Sequence, residues 1–147
     1  MKIKIVVDTN IIFSALLSAT GHIRQIITSQ IFDLFSCNSA ITELLSLKSK
    51  IIKHTKFEPE QLEYFVHQII KEIEFVNERY ISKEAYQKAW QLCKEIDESD
   101  TPFVALAIEL KALLWTGDKK LFKGLKEKGF EDVISTQELM IKVGYEI

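Results

Sequence analysis

The chain is poor in the residues that break or staple a fold. It holds two prolines and five glycines in 147 residues. That leaves little material for a turn-rich all-β architecture or a flexible linker, and favours helices joined by short connections. Its two cysteines, Cys37 and Cys93, show neither zinc nor redox spacing. Reduced core thiols are expected, with one disulfide as the alternative. His22, His54 and His67 are scattered, so no zinc centre is expected. The chain has no run of about twenty apolar residues to span a membrane. Lys2 and Lys4 open an apolar stretch, but Asp8 and Asn10 interrupt it before it reaches signal-peptide length, and a cytoplasmic location is expected. A net charge of −2 excludes a polycation that coats nucleic acid, so any such binding needs local patches. The phosphate-cradling and nucleophile-elbow glycine motifs are missing as well.

What remains is an ordinary globular balance, 47% hydrophobic and 27% charged, expected to fold as one domain over residues 1–147. Ile3–Val7 reads as a strand, followed by helical patterns over 10–19 and 22–30. Phe32–Cys37 reads as a second strand. A single helix is predicted from Ser39 to about Ile52, and Glu58-Pro59 opens another. Ile73–Val76 is a third strand candidate, and Ser82 caps a helix running to about Ile96. A short helix over 100–110 has Pro102 in its first turn, where proline is tolerated. Leu113–Thr116 reads as a buried strand, 119–128 as a helix, Val133–Ser135 as a last strand, and Thr136 as the cap of a final helix. Strands alternating with helices imply a three-layer α/β/α fold around a parallel sheet.

In such a sheet, ligands bind beyond the carboxyl ends of the strands, near the point where strand order reverses. Asp8 follows the first strand directly and Asp118 follows Leu113–Thr116. Each alone can be a helix cap. Two at the ends of core parallel strands should converge, and like charges brought together repel, which a cation resolves. Asp97 and Asp100 stand in an acidic loop before a helix. Asp100 sits at the helix start, where the dipole is expected to keep it ionised, while Asp97 can lie beside it or point to water. Glu43, among Ile41, Leu44 and Leu45, can be a site residue or a surface residue. Carboxylate oxygens without Cys or His suit Mg2+ or Mn2+.

Four segments together resemble the PIN-domain family over nearly the whole chain: Val6-Val7-Asp8-Thr9-Asn10, Ile41-Thr42-Glu43-Leu44-Leu45, Asp97-Glu98-Ser99-Asp100-Thr101-Pro102, and Leu114-Trp115-Thr116-Gly117-Asp118. The resemblance implies a Rossmann-like sheet in the order 3-2-1-4-5. It implies a metal-dependent ribonuclease whose catalytic and metal-holding residues are Asp8, Glu43, Asp100 and Asp118. Asn10 and Thr116 match supporting polar positions, and Asp97 is a further supporting acid. Lys119, beside the fourth acid, is a possible RNA contact or a plain surface lysine. Lys48, Lys50, Lys53 and Lys56, with Lys120 and Lys123, form either a phosphate-tracking rim or a solvated face. Small stand-alone members resemble the toxins of VapC-type toxin–antitoxin pairs, which implies an antitoxin partner and a homodimer, with the apolar faces around Ile23–Ile27 or Leu62–Ile70 as its contact or simply as core. Two other readings stand beside this one. One is a non-catalytic nucleic-acid-binding module. The other is a phosphoryl-transfer domain, for which a dehalogenase-type phosphatase would want Asp where Asn10 stands and a receiver domain would want an acidic pair near the first strand.

Overall fold

The computed structural model describes residues 2–17 and 21–144. Five parallel strands, β1 (Ile3–Val7), β2 (Phe32–Cys37), β3 (Ile73–Val76), β4 (Leu113–Trp115) and β5 (Val133–Ile134), form one sheet in the order β3-β2-β1-β4-β5. The expected order is therefore the observed one. β1 is the central strand, pairing Ile5 with both Leu34 and Leu113. Its last three residues, Ile5, Val6 and Val7, have no exposed surface. A β-branched run buried on both faces is what a central parallel strand requires.

Helices cover both faces. On one side lie α1 (Thr9–Leu17), α2 (His22–Thr28), α3 (Asn38–Ser46), α4 (Lys48–His54), α5 (Pro59–Glu72) and the final α9 (Thr136–Lys142). Ile12, Ile26, Ile69 and Leu139 from this side meet Ile5, Val7 and Trp115 in one core. On the other side, α6 (Lys83–Cys93), α7 (Thr101–Leu110) and α8 (Lys119–Glu127) bring Ala89, Leu106 and Leu121 against Val6 and Leu114 in a second. The alternating inward residues of β1 thus divide between two cores.

Polar bonds fix how the first layer sits. The Arg24 guanidinium donates to the Ala15 carbonyl at 2.9 Å and lies over the Phe57 and Phe65 rings at 4.7 and 4.6 Å. The Thr55 hydroxyl donates to the Leu16 carbonyl at 2.8 Å, tying the end of α4 to α1. On the α2 face, Ile26 and Ile27 are buried in this core and Ile23 is partly buried against it. The α5 face instead lines an apolar groove of about 500 Å3, shared with Ile41, Leu45 and Ile52.

Three local expectations are corrected. The single helix over Ser39–Ile52 is two helices broken at Leu47, whose φ of −96° and ψ of 2° leave the helical region. Neither glycine nor proline marks the break. It is set by packing, since Leu47 packs against the first core and Ile51 enters it. The cap of α9 is Ser135 rather than Thr136; its hydroxyl accepts from the Glu138 amide, and the Glu138 carboxylate accepts from the Ser135 amide, a reciprocal capping box. Thr136 instead accepts from the buried Trp115 indole N–H at 2.9 Å. The helix from Ser82 ends at Cys93 rather than near Ile96. Part of the predicted 10–19 helix falls on residues 18–20, outside the described residues. Both cysteines are free and fully buried, and burial pushes both thiols up to about 12, so they remain unreactive core residues.

Because α9 contributes Leu139 to the core and leaves Ile141 exposed, substitutions on its two faces should differ sharply. Leu139→Ala is expected to cost about 2–5 kcal/mol in denaturant unfolding, and Ile141→Ala less than about 0.5 kcal/mol. Equal losses would show that α9 is not seated on the sheet as described.

Candidate active site

The sheet order reverses between β1 and β4, and the acids following those two strands meet there. Asp8 ends β1 and is only 4% exposed. Its Oδ1 accepts from the Ile11 amide at 3.0 Å, capping α1. The Asn10 amide and the Thr116 hydroxyl also hydrogen-bond to it. Thr116, itself buried, accepts from the Asp118 amide at 3.1 Å, so one hydroxyl links both strand-end acids. Asp118 caps α8 through Oδ1, which accepts from the Lys120 and Leu121 amides at 2.9 and 3.2 Å. The capping alternative is therefore correct for both acids. It occupies one oxygen of each and does not remove their charge.

That charge is held at a cost. Burial, with a smaller contribution from the Asp118 charge, raises Asp8 to about 6 in spite of the hydrogen bonds that favour its ionised form. Asp100 is raised further, to about 7, first by burial and then by the charges of Asp97, Asp8, Asp118 and Glu43. Its Oδ2 is buried without a hydrogen-bond partner. The expectation that a helix dipole keeps Asp100 ionised is thus corrected. A 3-10 turn over Glu98–Asp100 precedes α7, the Asp100 backbone is already helical, and its side chain makes no cap bond.

Asp97 has a different part. Its Oδ1 accepts from the Ser99 amide at 3.0 Å and the Ser99 hydroxyl at 2.6 Å, and these bonds hold its carboxyl below the usual range. It is an exposed turn cap whose negative charge bears on Asp100. Glu43 sits on α3 with an exposed side chain, at the outer edge of the cluster but within electrostatic reach of Asp100. Lys119 is exposed at the start of α8, and the Asn10 side chain is exposed beside Asp8.

Two hydroxyls at the same edge escaped notice in the sequence. Thr9 Oγ1, next to Asp8, and Ser39 Oγ, at the start of α3, are buried without partners. Their signal was positional, since each lies within two residues of the end of a core strand.

The donor set fits a hard cation in kind. It is all oxygen, it carries repelling charge, and it includes one buried carboxylate oxygen with no partner. Among the described residues, however, no three His, Cys, Asp or Glu groups are gathered into a ready cage. Asp118 Oδ1 is turned to its cap and Glu43 stands outward on α3.

The fold and site define a three-layer α/β protein with an acidic cluster at its strand switch. The PIN-domain family model matches residues 6–139, and the chain belongs to that family, whose members are generally nucleases. Its fold is similar to that of a toxin–antitoxin complex chain from Klebsiella pneumoniae, with 16% identity, 89% of this chain and 96% of that chain covered, and a TM-score of 0.60. A protein from Pyrobaculum aerophilum aligns at 12% identity over 96% of this chain and 89% of its own, with a TM-score of 0.66. VapBC2 from Rickettsia felis, bound to a promoter DNA fragment, aligns at 18% over 90% and 97%, with a TM-score of 0.58. No curated protein sequence matches significantly.

The raised carboxyls fix a sign for stability against pH. In the folded chain Asp8 and Asp100 hold protons to about 6 and about 7, well above the ordinary 3.8 of an aspartate. The folded state therefore binds more protons between roughly pH 4 and 7, and without metal its stability should fall as pH rises through that window. Asp8→Asn keeps an acceptor for the Ile11 amide. At pH 8 it should raise the apo melting point, by a free energy of at most on the order of 3 kcal/mol, with the gain vanishing near pH 4. Thermal melts across this range that show a loss at pH 8 would mean that repulsion and burial do not oppose folding here.

Proposed function

We propose that this PIN-domain protein is a metal-dependent ribonuclease acting as the toxin of a toxin–antitoxin pair. The observation carrying this reading is the buried carboxyl of Asp8 beside the half-buried one of Asp100, each raised by loss of solvent and by neighbouring acids at the strand switch. Structural acids are ordinarily arranged to avoid such crowding, and perturbed groups of this kind cluster at functional sites.

In this reading Asp8, Asp100, Asp118 and Glu43 hold one or two Mg2+ or Mn2+ ions. When bound, such an ion acidifies water for attack on phosphorus and offsets the charge of the phosphodiester. Asp8 and Asp118 are oriented by their helix caps, each of which uses Oδ1. Thr116 fixes the two relative to each other, and Asn10 supports Asp8. Asp97 strengthens the field at Asp100 without itself being a ligand. Lys119 and Lys120 at the mouth, with Lys48, Lys50 and Lys53 of α4, supply cations for the RNA backbone.

The Klebsiella and Rickettsia relatives belong to toxin–antitoxin assemblies, which supports an antitoxin partner here. The apolar groove between α3, α4 and α5 offers such a partner a seat. A basic side chain reaching from that seat, most simply an arginine, would pair with the carboxylates and block the metal. The same groove is available to a homodimer contact. A single domain working in the cytoplasm fits these parts, and among the described residues no single helix is long and apolar enough to cross a membrane.

Cleavage of RNA is expected to require Mg2+ or Mn2+ and to stop in EDTA. Asp8→Asn, Asp100→Asn and Asp118→Asn should each lower it by more than about a hundredfold, beyond the ten- to hundredfold loss typical of groups behind the ligands. Asp97→Asn should lose far less. Activity surviving EDTA, or equal losses at positions 97 and 100, would reject the assignment. Failure of the wild-type protein to cleave RNA while it binds RNA and metal would favour the binding-module reading.

In cells, expression of the chain alone is expected to arrest growth. The arrest should disappear with Asp8→Asn and with co-expression of the neighbouring gene. Harmless expression of well-folded protein would sink the toxin role and leave the ribonuclease reading standing.

A further inference from the structure

Beside the acidic cluster, an open cavity of about 470 Å3 lies between α6 and the start of α7. Lys83, Tyr86, Gln87 and Trp90 form one wall and Thr101 and Pro102 the other. The four α6 residues recur at helical spacing and share one face. Trp90 is 45% exposed, a large ring left partly in solvent, and the Lys94 ammonium lies over it at 4.9 Å. Glu98 and Thr101, both on the cavity wall, flank Asp100 in the chain.

The chemistry of these walls is specific. Trp90 and Tyr86 offer aromatic surface, and Gln87 and Glu98 offer hydrogen-bonding groups at its border. Lys83 and Lys94 add positive charge where the nearby cluster is negative. Stacking rings flanked by ammonium groups are how single-stranded nucleic acid is held without strict sequence choice. The volume falls within the roughly 300–1,000 Å3 of small-ligand sites.

The geometry points to a base-stacking subsite: Trp90, with Tyr86 beside it, takes a nucleobase of single-stranded RNA next to the scissile phosphate, and Lys83 and Lys94 hold the adjoining backbone. The identity of the strand as RNA rests on the ribonuclease reading. The contribution of Trp90 is to substrate binding rather than to the chemical step.

The two tryptophans make this measurable. Trp115 is fully buried and bonded to Thr136, so RNA arriving at the surface can quench only Trp90 by contact. The full chain would be titrated in EDTA with a labelled single-stranded oligoribonucleotide of about ten nucleotides, following tryptophan emission and label anisotropy together. Quenching that saturates with the anisotropy is expected. Trp90→Phe should lose the quench and bind within about threefold of wild type, because any aromatic ring stacks. Trp90→Ala should bind roughly tenfold to a hundredfold more weakly, with an unchanged melting point. Under cleavage conditions it should raise KM and leave kcat alone. Binding by anisotropy without quenching, or wild-type affinity in Trp90→Ala, overturns the subsite. Quenching by a co-purified antitoxin but not by RNA overturns it too, and assigns the cavity to a protein. If wild type cleaves RNA and Trp90→Ala is indistinguishable from it, the subsite alone fails. If wild type neither binds nor cleaves RNA with Mg2+ or Mn2+, the ribonuclease reading fails with it.

Discussion

Negative charge is crowded into one edge of the sheet, and much of the local structure is arranged around holding it there. Parallel strands deliver their carboxyl ends to a single side, so acids following β1 and β4 must approach one another. The protein offsets part of the resulting repulsion with local dipoles. Asp8 is bonded by the Ile11 and Asn10 amides and by Thr116, and Asp118 by the Lys120 and Leu121 amides. Asp100 has an oxygen with no such partner, and it is raised further than Asp8. Asp100 lacks the hydrogen-bond compensation that Asp8 has, and it is the more easily protonated of the two.

What keeps Asp100 in place is the apolar helix that follows it. Phe103, Val104, Ala105, Leu106 and Ala107 are all buried in succession, so α7 has almost no solvent face along that stretch. Thr101, also buried, anchors the turn by donating to the Glu98 carbonyl at 2.6 Å. Burial of that many side chains outweighs the cost of one crowded carboxyl, at roughly 1.5–3 kcal/mol for each large apolar side chain. Stability generated in the second core is thereby spent on geometry at the site.

The sheet was legible in the sequence because each strand carries its own signal. The β-branched run of β1, the apolar β4 and the helical spacing between them mark a parallel α/β sheet, while the strand order was implied only by the family resemblance. Asp8 and Asp118 stood out for the same reason, since each follows a strand, whereas Glu43 and Asp100 carry no such mark. Other features depend on groups far apart in the chain and had no local mark. The break at Leu47 arises from packing on both sides of it. Asp100 is raised first by burial in the fold and next by the nearby Asp97, with smaller contributions from Asp8 and Asp118, residues that sequence places far away and the sheet brings near. The assignment of Thr136 as a cap went wrong because two adjacent hydroxyls compete. Only the fold shows that the Trp115 indole N–H claims Thr136 and leaves Ser135 to the helix.

For single strand-end acids, capping and chemistry looked like rival explanations, yet in this fold they are the same arrangement. A carboxylate has two oxygens. At Asp8 and Asp118 the first accepts from a helix amide and so fixes the side chain's rotamer. A ligand held in one orientation before its partner arrives loses less entropy on binding than a free one. The helix dipole also favours the ionised form that a cation needs. Finding a cap bond at such a residue is therefore no argument against a functional role. The discriminating feature is the second acid at the adjacent strand end, because a lone cap has no reason to tolerate a like charge beside it. Asp97, exposed and satisfied by Ser99, belongs to the turn, while Asp8 and Asp118 lie at adjacent strand ends and their charges bear on Asp100.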